Sequence, residues 1–104
     1  MHFIAYFFGG VFLANAIPHF VSGIQGKPFQ TPFAKPPGKG LSSSTVNVLW
    51  GFFNFVIAWF LLGRDKFAWR DFGDILPLGL GMLALALFAA RHFGALHGGN
   101  QPRA

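Results

Sequence analysis

Hydrophobic residues are gathered into three stretches that contain no Lys, Arg, Asp or Glu. These stretches cover residues 3–24, 41–63 and 75–90. All eight basic and all three acidic residues lie between or beyond them. A helix of about 20 residues, rising about 1.5 Å per residue, crosses the roughly 30 Å hydrocarbon layer of a bilayer. The pattern therefore predicts three transmembrane helices, at about 3–24, 43–63 and 74–91.

The third stretch is the shortest, at about 16 residues or roughly 24 Å of helix. Asp74 and Arg91 lie at its ends, where their side chains can reach the lipid headgroups and lengthen the span. We therefore expect an all-α integral membrane fold in a single domain over residues 1–104. A loop at 25–42 joins the first two helices, and a flexible tail is expected at 93–104.

The composition agrees with this pattern and excludes several classes of protein. Hydrophobic residues make up 53% of the chain and charged residues 11%, about half the charged share of a typical soluble domain. A soluble protein of this size would need more polar surface. The absence of cysteine excludes disulfides, thiolate metal sites and thiol nucleophiles. The net charge of +5 comes from scattered basic residues, which favours anionic lipid headgroups over nucleic acid as a partner.

Proline shapes both the first predicted helix and the loop that follows it. Pro18 lies inside the helix, where its ring removes a backbone hydrogen bond, so a kink is expected there. The loop at 25–42 is expected to form a structured, Pro-rich crossover at the bilayer surface. Phe29 and Phe33 in this loop, and Trp69 in the second connection, are predicted interfacial anchors. A lid or a partner-docking segment is the alternative interpretation of the loop.

Capping residues indicate where the helices begin and end. Gly26 suits the position that follows the first helix, because glycine adopts the left-handed conformation required there. The Ser-Ser-Ser-Thr sequence at 42–45 offers hydroxyls to cap the second helix. Asp74 is the predicted cap of the third helix, with Pro77 in its first turn, where a missing N–H costs little.

The basic residues predict an orientation. Three spans place the loop at 25–42 and the C-terminus on one side, with five basic residues against three on the other side. The five are Lys27, Lys35, Lys39, Arg91 and Arg103, and the three are Arg64, Lys66 and Arg70. The excess predicts that the loop and the C-terminus are cytoplasmic and that the N-terminus lies outside.

Four polar residues within the charge-free stretches form what we call the polar layer: Asn15, His19, Asn47 and Asn54. Asn15 and His19 are four residues apart and therefore share one face of the first helix. Asn47 and Asn54 lie on one stripe of the second helix together with Gly51. Measured along each helix from the loop end at about 1.5 Å per residue, His19 and Asn47 lie at similar depths. The same count matches Asn15 to Asn54, so we predict both contacts, with Gly51 letting the backbones approach.

The polar layer has two interpretations. Polar side chains between transmembrane helices contribute on the order of 0.6–2 kcal/mol each and fix the helix register, which gives a structural role. The other interpretation is a site for a ligand, a proton or a quinone headgroup, because His19 can both donate and accept. Haem between His19 and His92 is disfavoured, because His92 is expected several turns nearer the surface. The layer supplies too few ligands for a metal site, and no catalytic residue is identified.

Small residues recur at four-residue spacing in the first and third predicted helices. The pairs are Ala5 with Gly9, Gly10 with Ala14, and Ala86 with Ala90. Such pairs let helix backbones approach closely, within one protein or between copies of it. The third helix has no polar side chain between 75 and 90, so it is expected to pack against its neighbours or to face lipid.

Motifs around the first loop resemble an uncharacterised family of small bacterial integral membrane proteins. They are Pro18-His19-Phe20, the sequence GKPFQTPFA at 26–34, and the sequence VNVLWG at 46–51. The resemblance covers about the middle third to half of the chain. It implies a location in the bacterial cytoplasmic (inner) membrane, and it carries no activity, cofactor or site residue with it.

The expected function is that of a small non-enzymatic accessory or structural membrane protein, without a cofactor, that binds a protein partner or lipid. A three-helix protein has little interior space, so a homo-oligomer or a subunit of a larger membrane complex is expected. The alternative is an oligomeric small-molecule carrier or channel that uses the polar layer. A third interpretation is a quinone- or haem-binding subunit of a membrane enzyme.

Overall fold

The computed structural model describes residues 2–99, which form three long helices and a short β ladder. Helix α1 spans His2–Ile24, α2 spans Ser44–Gly63 and α3 spans Phe72–His97. Each of these helices is long and apolar enough to cross a membrane. The predicted helical class and the three spanning-length helices are therefore confirmed. The last part of the predicted tail, 100–104, lies outside the described residues.

Helix α1 lies between the other two helices. It packs against both α2 and α3, whereas within residues 2–99 those two helices contact each other only marginally. The buried residues of α1 are Ala5, Tyr6, Gly9, Gly10, Ala16, His19 and Gly23. The core therefore consists of two interfaces that share α1, and the small residues on α1 allow a close approach on both.

The ends of α1 and α2 follow the predicted capping residues. Gly26 has a φ of 73° and donates its N–H to Gly23 O at 3.0 Å. The next N–H, from Lys27, reaches Ser22 O at 3.0 Å, which completes a Schellman motif after α1. At the start of α2, Ser43 Oγ accepts the N–H of Val46 at 3.1 Å. Helix α1 is assigned as one helix that includes Pro18.

Helix α3 begins before its predicted start at 74. Asp71 is its N-cap, and the Asp71 carboxylate accepts the N–H of Gly73 at 2.9 Å. Asp74 lies within the first turn and accepts a backbone N–H from the preceding connection at 2.9 Å instead. Pro77 consequently lies beyond the first turn of α3, where it is buried. Helix α3 starts earlier than predicted because Asp71 precedes Asp74 in the chain and its carboxylate already caps a free N–H group of the first turn.

Helix α3 also ends later than predicted. It continues to His97 and stops at Gly98, which has a φ of 79° and donates its N–H to Gly94 O. No proline separates Arg91 from His97, so nothing in the sequence breaks the helix at the expected membrane boundary. Residues 93–97, expected in a flexible tail, are therefore helical.

The loop between α1 and α2 contains a short antiparallel ladder. Strand β1 (Phe29–Gln30) pairs with β2 (Leu41–Ser42), and Phe29 lies opposite Ser42. Beside the ladder, Thr31 Oγ1 and Ser42 Oγ are 2.6 Å apart and share a hydrogen bond. The ladder returns the chain to the start of α2 and holds the residues between its strands as a compact flap.

The extended end of α3 holds this flap in place. His92 Nε2 donates to the carbonyl of Gly38 at 2.6 Å, because a carbonyl can only accept. His97 Nε2 lies 3.1 Å from Gln30 Oε1. The ring of Phe29 packs on that of Phe93 with centroids 4.7 Å apart. The loop is therefore fastened across one end of the three helices.

Candidate functional site

The two predicted contacts of the polar layer are both present. Asn15 Nδ2 donates to Asn54 Oδ1 at 3.1 Å, and His19 Nδ1 lies 2.8 Å from Asn47 Oδ1. Between the pairs, a Cβ added to Gly51 would lie 2.7 Å from the backbone N of a residue on α1. The two helices therefore meet backbone to backbone at Gly51, with one hydrogen-bonded pair on either side of it.

Asn47 is completely buried and its amide orientation is fixed by its surroundings. Its Nδ2 donates to the carbonyls of Phe29, Ser42 and Ser43 at 3.0–3.1 Å. Three carbonyls can only accept, so the amide nitrogen must face them and the oxygen must face His19. His19 Nδ1 therefore carries the hydrogen, and Nε2 of the neutral ring presents a lone pair.

Asn54 is also completely buried and has both ends of its amide engaged. Its Oδ1 accepts from Asn15, and its Nδ2 donates to the carbonyl of Trp50 at 2.7 Å. Asn47 and Asn54 thus have their hydrogen bonds supplied by α1, the loop and their own helix. Both ends of both amides are therefore engaged by the protein itself.

The other two members, Asn15 and His19, line a cavity of about 360 Å³. Helices α1, α2 and α3 and the first loop all contribute to its wall, and we call it the loop-capped cavity. Its lining residues are Asn15, His19, Gln30, Thr31, Pro32, Pro37, Gly38, Trp50, Phe88, His92 and Phe93. Ligand pockets typically measure about 300–1,000 Å³ and combine apolar walls with a few polar groups. The loop-capped cavity has the size and lining of such a pocket.

Polar groups in the cavity wall lack partners within the protein. His19 is 97% buried, yet within residues 2–99 its Nε2 has no hydrogen-bond partner. Trp50 Nε1 is a fully buried N–H that also has no partner among the described residues. The His19 and Trp50 rings are neighbours, with centroids 6.4 Å apart. A ligand donor that meets Nε2 of His19 would supply its missing hydrogen bond, whereas Trp50 Nε1 is enclosed by protein atoms and is not open to the cavity.

The predicted interfacial anchors have different environments. Phe29 is turned inward and packs edge-on against His19, with ring centroids 5.3 Å apart. It also packs on Phe93, so this side chain lies between α1 and α3. Phe33 and Trp69 are exposed, at 62% and 67%.

Sequence reasoning missed most of the cavity wall. Gln30 and Thr31 are buried although they lie in a polar-looking loop, and no pattern in the sequence marks them as buried. His92 lines the same cavity as His19, whereas the depth count placed them several turns apart. The longer α3 and the loop folded against it bring them together. His92 Nε2 already donates to Gly38, which leaves it unavailable for haem ligation in this arrangement.

Among residues 2–99, no group of three or more His, Cys, Asp or Glu side chains is placed to hold a metal ion. The arrangement can instead accept a hydrogen bond at His19 and hold an apolar body against the aromatic side chains of the wall. Comparison with protein-family models, with curated proteins and with solved structures finds no match to this chain.

Proposed function

We propose that this protein is a small non-enzymatic protein of the bacterial cytoplasmic membrane that binds a small amphipathic molecule in the loop-capped cavity. The observation that carries the proposal is His19. Its Nδ1 is engaged by Asn47, while among residues 2–99 its Nε2 has no partner at the wall of a cavity of about 360 Å³. A polar atom that lines a cavity and has no partner in the surrounding protein is the feature expected of a binding residue.

The membrane location rests on the three long apolar helices. Large hydrophobic side chains are exposed along the outer faces of α2 and α3, as lipid-facing residues are. They include Leu49, Phe52, Trp59, Phe60, Leu83 and Leu87. We place the first loop and the C-terminus in the cytoplasm because of their excess of basic residues. In this orientation Phe33 and Trp69 lie near opposite membrane surfaces as interfacial anchors, and the loop covers a cavity near the cytoplasmic side.

A second candidate is an accessory subunit, either of a homo-oligomer or of a larger membrane complex. The exposed faces of α2 and α3 support it, since an apolar face can pack on another helix as well as on lipid. An oligomeric carrier or channel through the polar layer has less support. Asn47 and Asn54 are completely buried and fully hydrogen-bonded, and Gly51 closes the space between the helices.

Native mass spectrometry of the protein released from its own membrane tests the proposed function. We expect a stoichiometric small molecule bound to the wild type. Phe88→Ala removes part of the cavity wall, so most of the bound molecule should be lost. Leu87→Ala is the matched control, because Leu87 is similarly exposed, at 60% against 63% for Phe88, and does not line the cavity. A wild type with no bound molecule, or equal retention by the two variants, would contradict the proposal.

A further inference from the structure

We infer that the loop-capped cavity binds a neutral, hydroxylated aromatic ring, the headgroup type of a phenol or hydroquinone. Its hydroxyl donates a hydrogen bond to Nε2 of His19. This inference rests on the proposed function, because it names the class of molecule that the cavity takes.

The contact of His19 Nδ1 with Asn47 determines whether Nε2 donates or accepts a hydrogen bond. Asn47 presents its amide oxygen to Nδ1 because three carbonyls hold its nitrogen. With the hydrogen on Nδ1, Nε2 of the neutral ring is an acceptor only. A ligand group that meets Nε2 must therefore supply a hydrogen. Hydroxyl groups meet this condition, whereas carbonyl and ether oxygens do not.

The apolar walls of the cavity are formed by aromatic rings. Trp50 comes from α2, and Phe88 and Phe93 come from α3. The Phe88 ring is stacked on that of His92 with an angle of 4° between the planes. Aromatic groups prefer offset-stacked or edge-to-face contacts with other rings. A flat ring therefore makes more favourable contacts here than a flexible chain of the same size.

A donor in the wall favours a ligand that also carries an acceptor. Gln30 is 94% buried and uses Oε1 toward His97, which leaves its amide N–H groups available. A hydroxyl oxygen accepts as well as donates, and a second oxygen on the ring can meet the Gln30 amide. A ring with two hydroxyls thus matches both kinds of group in the wall.

The charge of the wall selects a neutral headgroup. Among the described residues that line the cavity, none is Asp, Glu, Lys or Arg. A phosphate or carboxylate buried here would have no charged partner, and an unpaired buried charge is strongly unfavourable. The lining therefore disfavours the anionic heads of phospholipids and fatty acids and favours an uncharged phenolic ring.

Equilibrium binding in nanodiscs under reducing conditions tests this inference with decylhydroquinone and its dimethyl ether. The two probes share ring and tail, but only the first can donate to His19. We expect the hydroquinone to bind about tenfold more tightly, as the loss of a buried hydrogen bond implies. His19→Asn retains a nitrogen near the Nδ1 position for the contact with Asn47 and removes Nε2. This variant should bind the hydroquinone as weakly as the ether, while ether binding stays unchanged.

Controls separate the possible outcomes. His2→Ala, which alters a histidine at the far end of α1, should behave as the wild type, and hydroquinone without a tail shows whether the ring alone suffices. Equal affinity of the wild type for the hydroquinone and its ether would overturn the assigned hydroxyl contact and leave ligand binding intact. If neither probe binds while a different molecule co-purifies, the headgroup class is wrong and the proposed function stands. If nothing binds or co-purifies, both are wrong.

Discussion

The two interfaces of α1 are built in different ways. Toward α2, the polar layer supplies two hydrogen-bonded pairs, one on either side of Gly51. Toward α3, glycine faces backbone: a Cβ on Gly10 would collide with the carbonyl of Leu78, and a Cβ on Gly81 would collide with that of Phe7. The first interface depends on matched donors and acceptors, and the second depends on the absence of side-chain atoms.

This difference shows which property each interface fixes. Hydrogen bonds between polar side chains specify one register and one rotation, because a shifted helix leaves buried polar atoms unpaired. Close backbone contact adds dispersion energy and excludes every side chain at the contacting glycine, but it leaves no polar atom whose pairing depends on the register. The loop-capped cavity lies where the α1–α2 interface meets the loop, so α1–α2 holds His19 in position while α3 contributes Phe88 and Phe93 to the wall.

The largest loss of stability is expected from adding a methyl group to the α1–α3 interface. Gly81→Ala places a Cβ against the carbonyl of Phe7, which is backbone and cannot move aside alone. We expect the free energy of unfolding to fall by about 3 kcal/mol, which is the upper end of the usual range for overpacked interiors. The measurement is the free energy of unfolding in a denaturing-detergent titration.

Gly79→Ala is the control for this prediction. The same substitution two residues earlier meets no atom within 4 Å. Replacing an open helical glycine by alanine is neutral or stabilises by about 0.5–1 kcal/mol. Equal effects of the two substitutions would show that α3 does not pack on α1 through Gly81.

The contrast also explains which parts were predictable. Asn15, His19, Asn47 and Asn54 are conspicuous in apolar surroundings, and helical spacing alone was enough to pair them. Small residues are not conspicuous. Gly10 was identified from its spacing to Ala14, but on the third helix the alanines at 86 and 90 were chosen, and both are exposed. Gly81, the residue that makes the contact, lacks a partner at four-residue spacing and was missed.

The cavity was not predictable from the sequence, because distant segments form it together. Gln30 and Thr31 reach the wall only through the β ladder, whose two-residue strands are too short to give an alternating pattern. His92 reaches it only because α3 continues to His97 and meets the loop. Both features depend on tertiary contacts, which local sequence patterns do not encode.

The next largest loss of stability is expected from a substitution at the α1–α2 interface. Asn47→Leu keeps a similar volume but removes the acceptor of His19 and the donor shared by the carbonyls of Phe29 and Ser42. Leaving such groups unpaired should cost about 2 kcal/mol. The same titration measures it, and hydrogen exchange should quicken at residues 29–42.

Thr45→Val provides the matched control, since it removes an exposed hydroxyl two residues away at nearly constant volume. Its effect should stay within about 0.5 kcal/mol, as is usual for surface substitutions. If Asn47→Leu proved as mild as Thr45→Val, the buried amide would not hold the loop to α2, and the fixed tautomer of His19 would lose its support.

The smallest effect, and the sharpest test of the contrast, is the coupling between Asn15 and Asn54. A double-mutant cycle with Asn15→Ala and Asn54→Ala isolates their 3.1 Å hydrogen bond from the separate bond between Asn54 and Trp50 O. Side-chain pairs of this kind between membrane helices average about 0.6 kcal/mol, so we expect a coupling near that value. A coupling of zero would mean that Asn54 acts only within α2. The α1–α2 interface would then depend on His19 and on backbone contact at Gly51, much as α1–α3 depends on Gly10 and Gly81.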